Sequence, residues 1–273
     1  MKTLYISDLD GTLLNRAAGL STYTKTTINN LIAEGLSFSV ASARALNSAV
    51  RILAGMNLSL PAALMNGVLI YDIARQSYER IYKFAPESVK ALVSAFRETD
   101  MTAFMYELKD GEFITHHETL ERQPMRDFVE ERIARYRNLF NHTESFESIS
   151  PENIIFFTLL DTLERIEPVS QAAARIPGIS AEMYRDVYNE GLWYLEICNE
   201  KASKKNAVTY LRENYGFDRV VGFGDNLNDL PMFEACDIRV AVANAKTEVT
   251  AAADHICGAN DEDGVAKWLI ENV

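Results

Sequence analysis

The chain has 273 residues, 48% of them hydrophobic, which is enough for one large domain or two smaller ones with a sizeable core. Its formal net charge is −12 and no Lys/Arg-rich block stands out, so nucleic acids and anionic membranes are unfavourable partners. A phosphate ligand stays compatible with this charge, because the charge of a local site can oppose that of the whole chain.

The cysteines and the first residues favour a cytoplasmic protein. The chain enters an apolar strand at once, without a basic segment followed by an apolar one, so we expect no secretory signal. No apolar run reaches the roughly 18 residues of a membrane span. The three cysteines, Cys198, Cys236 and Cys257, are scattered and form no C-x-x-C pattern, which favours reduced, buried thiols.

In residues 1–82, apolar runs typical of buried strands alternate with segments whose apolar residues have helical spacing. The predicted elements are a strand at Lys2–Ser7, a helix at Thr24–Glu34, a strand at Leu36–Ala41, a helix at Ala45–Ala54, a strand at Ala62–Met65 and, after an Asn66-Gly67 turn, a strand at Val68–Tyr71. Strands that alternate with helices favour βαβ units and a parallel sheet.

From about residue 83 the rhythm changes. The predicted helices are Pro86–Arg97, Pro124–Arg137 and Leu163–Arg175, and the predicted strands are Thr102–Glu107, Glu112–His116, Asn153–Leu160, Ala181–Val187 and Leu192–Cys198. Two glycine-containing turns, at 109–111 and 189–191, predict hairpins. Residues 83–199 are therefore expected to form an antiparallel sheet with helices, an α+β domain of its own.

The alternating rhythm returns at about residue 200. The predicted elements are a helix at Ser203–Asn214, a strand at Arg219–Phe223, a helix at Leu230–Ala235, a strand at Ile238–Val242 and a helix at Thr247–Ala253, and Glu262–Glu271 is the last segment. We therefore predict one α/β domain, formed by residues 1–82 and 200–273, that is interrupted by the α+β domain of residues 83–199.

An acidic pair follows the first predicted strand. Asp8 and Asp10 are two residues apart, and on an extended backbone such side chains point the same way. Two neighbouring carboxylates resist joint ionisation unless a cation or a shared proton relieves them. The pair therefore indicates a metal site, a proton-transfer role, or both.

A second acidic cluster follows the strand at Arg219–Phe223. Asp225 and Asp229 are four residues apart and would share one face if a helix begins there. Singly, Asp225 could be a helix N-cap and Asp10 part of a turn. Because ligands bind at the carboxyl ends of parallel strands, two acidic clusters at such ends favour a shared site. Carboxylates without His or Cys suit Mg²⁺.

A phosphate group beside these aspartates would need donors. Ser42 follows a predicted strand, and its hydroxyl with nearby backbone N–H groups could bind an anion, although a plain N-cap serine fits the position equally well. Lys204 lies at the start of a predicted helix. Because a cation at a helix N-terminus interacts unfavourably with the helix dipole, its presence there suggests a functional role. Lys201 and Lys205 are close rivals for that role.

Together these motifs resemble those of the haloacid dehalogenase (HAD) superfamily of phosphohydrolases, and within it the Cof-type branch (subfamily IIB). The motifs follow the family's order: Asp8-Leu9-Asp10-Gly11-Thr12, then Ser42 in Ala41-Ser42-Ala43-Arg44, then Lys204 in Ala202-Ser203-Lys204-Lys205, and last Gly224-Asp225-Asn226-Leu227-Asn228-Asp229. The resemblance implies a Rossmann-like parallel-sheet core with an inserted α+β cap of type C2B that sets substrate specificity.

The resemblance also implies roles for individual residues. Asp8 would be the nucleophile that forms an aspartyl-phosphate, and Asp10 the general acid and base. The implied Mg²⁺ ligands are Asp8, the Asp10 backbone carbonyl and Asp225, with Asp229 acting through water. The implied phosphate contacts are Ser42, Lys204, Asn228 and the backbone around Leu9 and Ala43.

The expected substrate is a small phosphorylated metabolite, such as a sugar phosphate, pyridoxal phosphate or flavin mononucleotide. Two other functions stay open at this point. A phosphotransferase or phosphomutase shares the first half-reaction, and a phosphate-binding protein without catalysis is a further class, which the intact Asp8 and Asp10 disfavour.

Overall fold

The computed structural model describes residues 1–136, 139–186 and 189–273. The chain divides into two compact units. The core unit comprises Met1–Arg80 and Ala202–Val273, and the inserted unit comprises Ile81–Lys201. The sequence pattern predicts domain junctions after residues 82 and 199, whereas these units meet after residues 80 and 201.

The helices and strands follow the chain in three segments. The first contains β1 (Thr3–Ser7), α1 (Thr22–Ala33), β2 (Ser37–Val40), α2 (Leu46–Ile52), β3 (Ala62–Leu64), β4 (Leu69–Asp72) and β5 (Ser77–Ile81). The second contains α3 (Pro86–Glu98), β6 (Phe104–Lys109), β7 (Glu112–His117), α4 (Gln123–Tyr136), β8 (Leu139–His142), β9 (Ile154–Thr162), α5 (Leu163–Ala173), β10 (Ile179–Arg185) and β11 (Leu192–Asn199). The third contains α6 (Lys204–Tyr215), β12 (Arg219–Gly224), α7 (Leu230–Glu234), β13 (Ile238–Val242), α8 (Thr247–Ala252), β14 (His255–Cys257) and α9 (Gly264–Asn272).

The main sheet of the core unit has the strand order β14-β13-β12-β1-β2, and all its neighbouring strands are parallel. Parallel sheets of this kind are covered on both faces, so their central strands are apolar. Leu4 and Ile6 of β1 and Val220 of β12 are fully buried. The predicted parallel α/β core is confirmed. Strand β3 adjoins this sheet through a parallel bridge between Ala41 and Ala63.

The inserted unit is built on a sheet of order β10-β11-β9-β6-β7-β8. Helices α3 and α5 contribute to an apolar cluster on it that includes Leu92, Phe96, Phe157, Val169 and Leu195. Both predicted hairpins are present as the antiparallel pairs β6–β7 and β10–β11. The predicted helix end at Arg137 and strand end at Val187 lie outside the described residues.

The expectation of a purely antiparallel inserted sheet is wrong at one edge. Strands β7 and β8 pair in parallel, with Thr115 opposite Phe140. Two consecutive strands can be parallel only when a crossover connects them, and α4 provides that crossover. The inserted sheet is therefore mixed, within an α+β unit as predicted.

Three short strands, β5, β8 and β14, are not predicted by the sequence pattern. Strand β14 is three residues long with His255 and Ile256 exposed, so it lacks the alternation that identifies a strand. Within the described ranges, no helix has the length and apolar character needed to cross a membrane.

Candidate active site

Two acidic segments leave the main sheet side by side. Strands β1 and β12 pair in register, with Ser7 opposite Phe223, so both end at the same edge. The backbone N–H of Asp8 donates to the carbonyl oxygen of Phe223 at 2.9 Å. Carboxylate oxygens of Asp8, Asp225 and Asp229 consequently lie within 4.8 Å of one another.

A buried lysine links these carboxylates. Lys204 is the first residue of α6, and its Nζ donates to Oδ1 of Asp8 at 2.5 Å and to Oδ1 of Asp229 at 2.6 Å. The sequence offers two other lysines for this position. Lys205 is exposed and pairs with Glu234 at 2.7 Å, and Lys201 is an exposed residue of the inserted unit. Lys204 is therefore the lysine at the acidic cluster.

Asp229 shapes the loop that carries Asp225. Asp229 is completely buried, and its Oδ2 accepts hydrogen bonds from the backbone N–H groups of Asp225 at 2.9 Å and Asn226 at 3.0 Å. Since Lys204 contacts its other oxygen, both oxygens of Asp229 are engaged by the protein. This arrangement fits the predicted indirect role of Asp229 towards a metal ion, which stays a prediction.

Asp225 is held against the loop that follows β1. Its Oδ1 accepts a hydrogen bond from the Thr12 hydroxyl at 2.9 Å, and its carbonyl oxygen accepts one from the N–H of Lys246 at 2.9 Å. Gly11 has a φ of +80°, and a Cβ there would overlap with the Asp225 carboxylate. Gly224 is equally constrained, because a Cβ there would lie 2.7 Å from Cβ of Asp229. Gly11 thus permits the close approach of the two loops, and Gly224 permits the close approach of Asp229 within the second loop.

The cluster carries an excess of negative charge. Burial raises the pKa of Asp8 well above its ordinary value; the charge of Lys204 opposes this rise, while Asp229 and Asp225 add to it. Burial and the neighbouring Asp229 raise the pKa of Asp225 to about 6. Burial alone would lower the pKa of Lys204, but Asp229 and Asp8 outweigh that effect and raise it. Three carboxylates facing one ammonium group call for a further cation.

The donor set of this cluster fits Mg²⁺. Asp8 and Asp225 each keep one carboxylate oxygen that neither Lys204 nor Thr12 engages. Oxygen donors and excess negative charge are what a hard divalent cation requires. Asp8 and Asp225 could therefore hold the ion directly, and the ligand role predicted for the Asp10 carbonyl stays a prediction.

The Asp10 side chain does not join the cluster, contrary to the expectation that Asp8 and Asp10 face one point. Among the described residues, the converging carboxylates leave out Asp10, whose two oxygens each accept a hydrogen bond from Arg44 at 2.6 Å. The extended backbone assumed for the pair ends at Ser7, and the next residues turn, with the N–H groups of Thr12, Leu13 and Leu14 directed to the carbonyl oxygen of Leu9.

The residues predicted to contact phosphate come after strands that end at this same edge of the sheet. Ser42 comes shortly after β2, and its Oγ accepts a hydrogen bond from the backbone N–H of Arg44 at 3.2 Å. The alternative N-cap role is not observed, because α2 is preceded by Ala45. Ala43 is exposed beside Ser42, while the Leu9 side chain is buried.

Asn228 lies in the turn after β12, and its Nδ2 is 3.5 Å from Oδ1 of Asn66. The topology thus brings Leu9, Ser42, Ala43 and Asn228 to the edge where the carboxylates meet. Their contacts with a phosphate group stay predictions.

Sequence reasoning missed several residues that shape this edge. Asn244, just after β13, donates from Nδ2 to the carbonyl oxygen of Gly11 at 2.7 Å. The position of Asn244 at the end of a predicted strand is the signal that could have identified it. Arg44 and Thr12 belong to the sequence motifs, but the motifs give them no role of their own.

Known proteins are similar to this chain in sequence and in fold. Residues 5–269 match the family described as haloacid dehalogenase-like hydrolase. The 5-amino-6-(5-phospho-D-ribitylamino)uracil phosphatase YitU of Bacillus subtilis is 26% identical over 271 residues, covering 97% of this chain and 95% of that protein.

Solved structures show the same architecture. A haloacid dehalogenase-like hydrolase from Bacteroides thetaiotaomicron superposes with a TM-score of 0.83 at 22% identity and covers 100% of both chains. The HAD subclass IIB sugar phosphatase BT4131 has a TM-score of 0.76 at 22% identity, covering 99% of this chain and 98% of that one. The chain therefore belongs to the haloacid dehalogenase-like hydrolases.

Proposed function

We propose that the protein is a Mg²⁺-dependent phosphatase that hydrolyses a small phosphomonoester, a sugar phosphate or a similar metabolite, through an aspartyl-phosphate on Asp8. The observation that carries this proposal is the buried Lys204, which contacts Asp8 at 2.5 Å and Asp229 at 2.6 Å next to Asp225. Such a cluster combines a fixed carboxylate nucleophile with oxygen donors for a hard cation.

In this mechanism, one carboxylate oxygen of Asp8 would attack the phosphorus atom while the other stays available to the metal ion. The ammonium group of Lys204 opposes the effect of burial on the pKa of Asp8 and so favours the ionised nucleophile. Two donors of the ammonium group reach carboxylates, and its third would contact a phosphoryl oxygen. Lys204 would thus hold nucleophile and substrate together.

Asp8, the Asp10 carbonyl and Asp225 would hold Mg²⁺, with Asp229 acting through water, and the bound ion would supply positive charge beside the phosphoryl group. The Ser42 hydroxyl, the Asn228 amide and the backbone N–H groups around Leu9 and Ala43 would bind the remaining phosphoryl oxygens. Asp10 would give a proton to the leaving oxygen and then take one from the water that hydrolyses the aspartyl-phosphate.

We assign catalysis to residues 1–82 and 200–273, and substrate selection to residues 83–199. The relatives support the class of substrate but differ in its identity, since one is named for a ribitylaminouracil phosphate and another for sugar phosphates. A phosphate-release screen with Mg²⁺ across sugar phosphates, pyridoxal phosphate and flavin mononucleotide would identify the substrate of this chain. Transfer of the phosphoryl group to a second metabolite without release of free phosphate would instead indicate a phosphotransferase or phosphomutase.

Replacing the nucleophile should abolish turnover without unfolding the protein. For Asp8→Asn we expect phosphate release to fall by about 10³-fold or more, since an amide cannot attack phosphorus. Asp254→Asn is the matched control, because Asp254 pairs with Arg239 away from the site and should keep normal activity. Phosphate release by Asp8→Asn at the normal rate would contradict the assignment.

Removing the metal should abolish the activity of the enzyme. With EDTA we expect no phosphate release, and full recovery with excess Mg²⁺. Because a ligand that binds only the folded state stabilises it, Mg²⁺ at about 100 times its Kd should add about 2.7 kcal/mol to the free energy of unfolding.

Asp225→Asn should lose most of this Mg²⁺-dependent stabilisation, measured by thermal unfolding, whereas Asp254→Asn should keep it. Activity that persists in EDTA, or equal stabilisation of both variants, would refute the metal site.

Replacing the buried lysine should destabilise the fold more than replacing its exposed neighbour. Lys204→Met leaves two buried carboxylates without their partner, a loss of about 3–5 kcal/mol in the free energy of unfolding. Lys205→Met breaks an exposed pair with Glu234 and should cost about 0–1 kcal/mol. Urea unfolding in EDTA measures both, and equal stabilities would show that Lys204 does not neutralise the cluster.

A further inference from the structure

The guanidinium group of Arg44 binds the Asp10 carboxylate through two parallel hydrogen bonds, an arrangement that we call an arginine fork. Nε of Arg44 donates to Oδ2 of Asp10 at 2.6 Å, and Nη2 donates to Oδ1 at 2.6 Å. Two parallel hydrogen bonds of this kind fix both the position of a carboxylate and the rotation of its plane. The orientation of Asp10 is therefore set by Arg44.

Of the two partners, Arg44 is the more firmly anchored. Its side chain is 13% exposed, whereas that of Asp10 is 52% exposed on the turn after β1. Nη1 of Arg44 donates to Oγ of Ser48 at 2.8 Å, and its backbone N–H donates to Oγ of Ser42 at 3.2 Å. Its carbonyl oxygen accepts from the N–H of Met65 at 3.1 Å. The guanidinium is thus the fixed element, and the half-exposed carboxylate is the one that it orders.

A similar fork elsewhere in the core unit gives a comparison. Arg239 donates to Asp254 from Nε at 2.9 Å and from Nη2 at 2.7 Å, and both side chains are partly exposed. Asp254 has no proposed part in the chemistry, and exposed pairs of this kind contribute little to stability. The Arg44 fork differs because its carboxylate is the proposed proton-transfer group beside the nucleophile.

We propose that Arg44 is a positioning residue that orients Asp10 for proton transfer, an inference that rests on the proposed phosphatase function. The O–H of Asp10 gives its proton to the leaving oxygen as the bond from that oxygen to phosphorus breaks and the bond from Asp8 to phosphorus forms. The Asp10 carboxylate then takes a proton from water as the water oxygen bonds to phosphorus and the bond to Asp8 breaks.

Both steps are compatible with the fork. A carboxylate offers about four lone-pair sites, and the two hydrogen bonds from Arg44 use one on each oxygen, which leaves a site for the reacting proton. Catalytic groups need to be held within about 0.5 Å of their productive geometry. A lysine would keep the positive charge but could not reproduce the planar fork, so Arg44→Lys separates geometry from charge.

The test compares two probes that share a ring but differ in their need for a proton. Phenyl phosphate leaves as a basic phenolate, whereas p-nitrophenyl phosphate leaves as a weakly basic one. The rate of phenol release is measured in single turnovers with Mg²⁺ and enzyme in excess, which isolates the first half-reaction. Because general acid catalysis contributes about 10²–10⁴-fold, we expect Arg44→Lys to slow phenyl phosphate by about 10-fold or more and p-nitrophenyl phosphate by less than about 3-fold.

Three further variants make the result specific. Asp10→Asn should show the same selective loss, and Asp10→Asn combined with Arg44→Lys should be no slower than Asp10→Asn alone, since Arg44 acts through Asp10. Ser48→Ala removes an anchor of Arg44 without touching the fork and should give a weaker loss of the same kind. Circular dichroism establishes that each variant is folded.

The control is Arg239→Lys, which breaks the comparison fork and should leave both rates unchanged. Equal slowing of both probes by Arg44→Lys, an additive loss in the double variant, or wild-type rates throughout would overturn the inference. If Asp8→Asn is inactive in the same assay, the proposed function stands while this inference fails; if Asp8→Asn turns over normally, the proposed function itself fails.

Discussion

The site depends on one buried ion-pair cluster, in which the ammonium group of Lys204 lies between Asp8 and Asp229. Its side chain is 1% exposed, and those of Asp8 and Asp229 are 7% and 0% exposed. Burying such charges is costly unless each has a partner, so the three segments that supply them must meet. Residues 8, 204 and 229 are far apart in the chain, and their pairing fixes the start of α6 against the ends of β1 and β12.

The parallel sheet makes this meeting geometrically simple. Since β1 and β12 end in register, Asp8 and Asp225 emerge side by side, and Gly11 leaves room for the two loops to touch. Asp229 then has two functions: it pairs with Lys204 and accepts the backbone N–H groups that shape the Asp225 loop. The same residues thus hold the fold together at this edge and supply the charged groups of the site.

Much of this could be predicted from the sequence because strand ends and acidic residues coincide there. Strand β13 was predicted at Ile238–Val242 and lies there, and the convergence of Asp8, Asp225 and Asp229 follows from parallel topology. The residues alone leave Lys204 and Lys205 as alternatives, because the choice depends on which side of α6 is buried, and only the order of the family motifs favours Lys204. The separation of Asp10 from Asp8 was missed because the strand ends at Ser7 and the chain turns, which side-chain alternation cannot reveal.

The most direct test of the account is to trap the covalent intermediate on Asp8. Wild-type protein turning over a substrate from the phosphate-release screen with Mg²⁺ is quenched in acid and reduced with borohydride, which converts an aspartyl-phosphate into homoserine. Mass spectrometry of the peptide that contains Asp8 and Asp10 then locates the change. The account predicts homoserine at position 8 and an unmodified Asp10; homoserine at position 10, or an unmodified peptide from an enzyme that is turning over, would contradict it.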